Sequence, residues 1–156
     1  MGSAQRVLIA CALALASLSL TDTSEARRSR TKVEWTSIEL PHQSDEARLK
    51  SKLTRYLNDA VKRADFGKIQ RLEATVRVVE LKWETQPDLV RLSCTVVGRL
   101  KGGPSARSRI SFGGDPQRKD QLEEQVLASV ARGVVGRIAQ LARAAAERAE
   151  PEPEPS

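Results

Sequence analysis

Aromatic side chains are scarce: Trp35, Tyr56, Phe66, Trp83 and Phe112 are the only five in 156 residues. A base-stacking platform or an aromatic cage would need most of them on one face. Histidine occurs once, as His42, and cysteine twice, as Cys11 and Cys94. That excludes a His/Cys metal cluster and leaves little from which to build a nucleophilic triad. The longest apolar run has fourteen residues, and the composition is 40% hydrophobic and 29% charged. Neither a polytopic membrane protein nor a disordered chain has this balance. The length suits one domain.

The apolar run is residues 7–20 (VLIACALALASLSL), with Arg6 the only charge before it. As a helix it rises about 21 Å, short of the roughly 30 Å hydrocarbon core of a bilayer. A short basic start, a brief apolar stretch and a small-residue site form the pattern of a secretory signal peptide. Ser24-Glu25-Ala26 supplies the small residues, so cleavage is expected after Ala26, with Ala14-Leu15-Ala16 as a second candidate. Leu8-Ile9-Ala10-Cys11 also matches the short pattern before a lipidated cysteine. There, however, the apolar run continues for nine residues past Cys11 instead of closing at it. Cleavable secretion is the adopted reading, lipid anchoring at Cys11 the competing one. The expected location is the bacterial periplasm or the extracellular space.

The whole chain carries +6, with 18 Arg and 8 Lys. Removal of 1–26 takes away Arg6, Asp22 and Glu25 and leaves +7. The tail 147–156 carries −3, so residues 27–146 carry +10. Such a body is drawn to polyanions by a long-range attraction that salt weakens. Outside the cytoplasm the expected partner is an anionic envelope component or an acidic protein. Nucleic acid is the alternative, and it requires a chain that stays in the cytoplasm.

The spacing predicts the following elements. Residues 27–31 form a flexible basic start. Residues 32–40 (KVEWTSIEL) form a strand in which Val33 and Trp35 share one phase, Ile38 and Leu40 the other, and a bulge near Thr36-Ser37 reconciles them. Ser44 precedes a helix whose face is Leu49, Leu53, Leu57, Ala60 and Ala64, with Gly67 as the stop. Residues 72–84 form a second strand, with Ala74, Val76 and Val78 in one phase and Val79, Leu81 and Trp83 in the next. After the Gln86-Pro87-Asp88 turn, Val90, Leu92, Cys94, Val96, Gly98 and Leu100 alternate with Arg91, Ser93, Thr95, Val97 and Arg99, a strand with one buried face. Residues 107–112 form a fourth strand that Gly113-Gly114 breaks. Asp115 before Pro116 opens a second helix, beginning there or as late as Lys119. From 116 to 148 it would span about 50 Å, so its last two turns should project or fray. The Glu/Pro tail 147–156 should be disordered.

The order β-α-β-β-β-α predicts an α+β two-layer sandwich, one antiparallel four-stranded sheet with two helices on one face, over residues 32–146. The chemical candidates are few. Cys94 lies on the apolar phase of its strand and His42 in a loop. A hydrolase would need His42 near a carboxylate or Cys94 in a pocket. Glu80, Glu84 and Asp88 cluster about the first hairpin, where charges also discourage edge pairing. Gly133-Val134-Val135-Gly136 looks like a GXXG loop but falls inside a helical pattern, where close packing explains it better. No catalytic residue, metal or cofactor is expected, and no small-molecule substrate. The strongest constellation is basic: Arg99, Lys101, Arg107 and Arg109 around Lys101-Gly102-Gly103, with the turn amides as further anion donors.

The helix–strand–strand–strand–helix order of residues 45–146 is similar to that of double-stranded-RNA-binding domains, which implies an RNA partner. The Lys-Lys-X-Ala-Lys run that opens that family's second helix is absent, since 116–121 read PQRKDQ. With the first strand added, the order looks like the small envelope domain of the lipopolysaccharide-assembly lipoprotein, a likeness of architecture.

Overall fold

The computed structural model describes residues 31–41 and 45–149. The expected leader with Ala26 and Cys11, most of the basic start, His42, the Ser44 cap and the tail from residue 150 lie outside them.

The elements run β1 (Lys32–Glu39), α1 (Glu46–Arg63), β2 (Arg71–Thr85), β3 (Val90–Leu100), β4 (Ser105–Gly114), one 3-10 turn (Pro116–Arg118) and α2 (Lys119–Ala149). This is the expected order and the expected α+β class. The sheet order is β1-β2-β3-β4. The sheet is mixed, however, and not purely antiparallel: β1 pairs parallel to β2, and the other pairs are antiparallel. The reason lies in the connection. A helix that crosses over one face between two neighbouring strands returns the chain in its original direction.

α1 buries Leu49, Leu53, Leu57 and Ala60, the face that its spacing predicts. It ends at Arg63, one residue before Ala64 and well before Gly67, and the Ala64 N–H closes it on the Ala60 carbonyl. In the helix that follows β4, Asp115 accepts from the Gln117 N–H at 2.8 Å, with Pro116 behind it as the first residue of the turn. α2 then runs 31 residues, with Val126, Val130, Val134 and Ile138 in the core. It continues to Ala149 with residues 145–149 exposed, so its end projects without fraying among the described residues and takes in Glu147–Ala149, the first residues of the expected tail.

α2 packs on β3 and β4, and α1 packs on α2 and β1. The core between the layers holds the predicted phase of β3, Val90 through Leu100, with Gly98 giving α2 room to approach. The Trp35 indole donates to Asn58 Oδ1 at 3.0 Å and ties β1 to α1. Arg48 and Lys52 of α1 converge on the buried Glu123 of α2, at 2.8–3.0 Å.

The expected bulge in β1 is present, between Trp35 and Ser37. A second one falls in β2 between Val78 and Glu80. It corrects the inward placement of Val79. Val79 is the inserted residue, left unpaired and 52% exposed, while Leu81 and Trp83 resume the inward phase. Nor do Gly113 and Gly114 break β4, for they pair with Arg91 and Val90. A Cβ on Gly113 would come 3.2 Å from Leu89 Cδ1, so glycine there lets that leucine pack on the strand.

Candidate functional site

Both helices cover one face of the sheet. The opposite, outer face carries the residues of the other phase. Cross-strand register places Arg77, Val97 and Arg107 in one row, Thr75, Arg99 and Ser105 in the next, and Glu80, Thr95 and Arg109 on the far side. The alternation of β3 and β4 thus brings Arg99, Arg107 and Arg109 together, as the sequence suggests. Lys101 extends the group at the hairpin turn.

The carboxylates decide which cations are available. On the β1–β2 side Glu34, Glu39 and Glu73 are matched, while Glu80 has no ion-pair partner among the described residues and accepts from Thr95 at 3.3 Å. Arg71 meets Glu34 at 2.8 Å, Arg77 meets Glu39 at 2.6 Å, and Lys101 meets Glu73 at 2.8 Å. Hydrogen bonds from Arg71 and Lys32 hold the Glu34 carboxyl below its ordinary range, and that from Arg77 does the same for Glu39. Lys82 pairs with Glu84 at 2.9 Å and lowers that carboxyl likewise. On the β3–β4 side, Arg99, Arg107 and Arg109 are exposed and have no ion-pair partner among the described residues, whereas Arg91 lies opposite Glu84 and helps to lower that carboxyl. Lys101 is therefore a neutralised member of the predicted set. Arg91 and Arg77 are cations of the same face that the prediction omits, the first opposite Glu84 and the second paired with Glu39.

The turn's backbone contributes less than expected. The Lys101 N–H donates to the Glu73 carbonyl and the Gly103 N–H to the Leu100 carbonyl, both at 3.0 Å. Gly102 supplies the positive φ of 68° that the turn requires. With two amides committed, the side chains are what a ligand would meet. Beside them lies a groove of about 580 Å³ lined by Glu39, Thr75, Arg77, Val97, Arg99 and Ser105. The neighbouring β4 edge is engaged at one point, where Arg137 of α2 donates to the Arg107 carbonyl.

Thr95 is fully buried despite its outward phase and donates to Glu80 at 3.3 Å. Ser93 and Ser111 share a hydrogen bond at 2.8 Å. No aromatic side chain takes part. Trp35, Trp83, Phe66 and Phe112 belong to the core side, and Tyr56 lies on α1 beside Arg55.

The remaining candidates do not assemble. Cys94 is fully buried among core side chains, and burial, with a smaller contribution from Glu80, pushes its thiol up to about 12. Such a thiol stays protonated and is no nucleophile. Glu80 and Glu84 face Thr95 and Lys82 in place of one another. Gly133 and Gly136 lie within α2, and Gly133 sits against Ser108. Among the described residues no group of three His, Cys, Asp or Glu side chains is placed to hold a metal, and no helix is long and apolar enough to cross a membrane.

No protein-family model and no curated protein matches the chain. Among solved structures, it is similar to a minor lipoprotein from Acinetobacter baumannii, at 15% identity over 68% of this chain and 94% of the other, with a TM-score of 0.39. A candidate lipoprotein from Caulobacter crescentus matches at 17% identity over 74% and 93%, with a TM-score of 0.43. A Xanthomonas campestris protein of the DUF330 family matches at 12% identity over 76% and 92%, with a TM-score of 0.48. At identities and scores this low, no function passes from those proteins to this one.

Proposed function

We propose that this is an exported, non-enzymatic α+β domain that binds an anionic component of the cell envelope through the outer face of its sheet. One observation carries the reading: Glu34, Glu39 and Glu73 of that face are matched to cations on its β1–β2 side, while Arg99, Arg107 and Arg109 have no ion-pair partner among the described residues on its β3–β4 side. The β3–β4 side of the face therefore presents a surplus of positive charge. Guanidinium groups suit it, since each offers a planar fork of donors to phosphate or carboxylate. Export rests on the leader pattern of residues 7–26.

The test is retention on immobilised heparin. Arg99→Ser, Arg107→Ser and Arg109→Ser combined should lower the salt concentration needed for elution well below that of the unaltered protein. Unchanged elution would remove this face from the account.

A further inference from the structure

The face also carries an apolar feature that charge alone leaves unexplained. Among the described residues Val79 is the one exposed large hydrophobic side chain. It stands on the outer face because of the bulge. The inserted residue points the same way as Glu80, which pairs with outward-facing Thr95, while the neighbours Val78 and Leu81 face the core side. Val97 lies half-buried on the same face in the row of Arg77 and Arg107. The two valines thus share this face with Arg99, Arg107 and Arg109, and the Glu80 carboxylate lies beside Val79. Exposing a valine loses hydrophobic free energy that a polar residue at the bulge would not lose.

Building on the reading of this face as an anion binder, we propose that its partner is the surface of an anionic bilayer. Arg99, Arg107 and Arg109 meet the headgroup phosphates, and Val79 settles among the glycerol and upper acyl carbons. Three observations favour this occupant. A soluble polysaccharide or a nucleic acid would gain nothing from a valine, and the face offers no aromatic on which a sugar or base could stack. A second copy packed face to face would set these unpaired arginines against their own like. A bilayer surface supplies both negative charge and an apolar layer just beneath it, the combination that interfacial binding uses.

Every element among the described residues lies after residue 31, so a chain beginning at Arg27 keeps all of them and lacks the apolar run 7–20. That chain is spun down with vesicles of phosphatidylcholine alone, or with one quarter phosphatidylglycerol. Binding is expected only to the second kind. Val79→Ser should weaken it about threefold, the effect of losing a half-buried valine contact, and leave heparin retention unchanged. Val79→Phe should tighten it by a similar factor, and circular dichroism checks that both variants fold. If neither variant alters vesicle binding while the arginine triple variant abolishes it, the bilayer inference fails and the anion-binding reading stands. If the unaltered chain binds neither vesicles nor heparin, both fail.

Discussion

Gly133 of α2 lies so close to Ser108 of β4 that a Cβ on the glycine would fall 2.3 Å from the serine Oγ. Gly136, one turn on, has open space where its Cβ would go. The two glycines of this segment therefore predict opposite outcomes. Gly136→Ala should raise stability by about 0.5–1 kcal/mol, because it removes the helix penalty of glycine and meets nothing. Gly133→Ala should lower it by about 1–2 kcal/mol, since the buried serine must shift to admit the methyl group. Thermal unfolding of the two variants checks both signs.

The clamp between the helices gives a pH dependence. Burial raises the Glu123 carboxyl, but hydrogen bonds from Arg48 and Lys52 outweigh it and hold the group below its ordinary 4.5. A carboxyl lowered by folding contributes stability that is fully present above its unfolded value and lost as pH falls through its folded value. Glu123→Ala should therefore cost about 1–2 kcal/mol near pH 7. Below about pH 4 the gap between variant and unaltered protein should narrow. Melting curves at pH 7 and pH 3.5 test this, and a constant gap would contradict it.

Cys94 should behave as a core residue. At pH 8 its thiol should resist a disulfide reagent in the folded protein and react at once in denaturant, since burial keeps it protonated. Fast reaction in the native state would place it in an accessible pocket and reopen the nucleophile question. Cys94→Ser should destabilise by about 1–3 kcal/mol, because a hydroxyl replaces an apolar group in the core.

Export predicts a processed chain. Mass spectrometry of the protein from separated cell fractions should find, outside the cytoplasm, a species beginning at Arg27. A lipidated species beginning at Cys11 would replace simple cleavage by anchoring. An intact chain confined to the cytoplasm would move the RNA-type alternative to the front.

Periodicity made the fold legible where one element buries one face. The 4-4-3-4 spacing of Leu49 to Ala64 marks α1, and the strict alternation from Val90 to Leu100 marks β3 and, with it, the outward phase of Arg99. The break of phase at Thr36-Ser37 marks the first bulge. What stayed hidden depends on neighbours distant in sequence. The parallel pairing of β1 with β2 is a different case: no residue in either strand marks it, but the helix between them, which the sequence does show, implies it. The break of phase after Val78 is visible in the sequence, but that Val79 is the inserted residue is set by the register against Val96 and Thr95. Periodicity alone placed this valine with Leu81 and Trp83. Which arginines remain unpaired depends on carboxylates such as Glu39 and Glu73, which lie 38 and 28 residues from the cations they engage. No local pattern shows that Lys101 is neutralised and Arg99 is not.

The central claim is that one face, rather than net charge, binds anions. The direct test compares two triple variants of equal charge on vesicles with one quarter phosphatidylglycerol. One is Arg99→Ser, Arg107→Ser and Arg109→Ser. The other is Lys50→Ser, Arg63→Ser and Arg118→Ser, exposed positions away from that face. The outer-face triple should lose binding about tenfold or more and the other should stay within about twofold of the unaltered protein. Equal losses from both would show that overall charge does the binding and that the face has no special part in it.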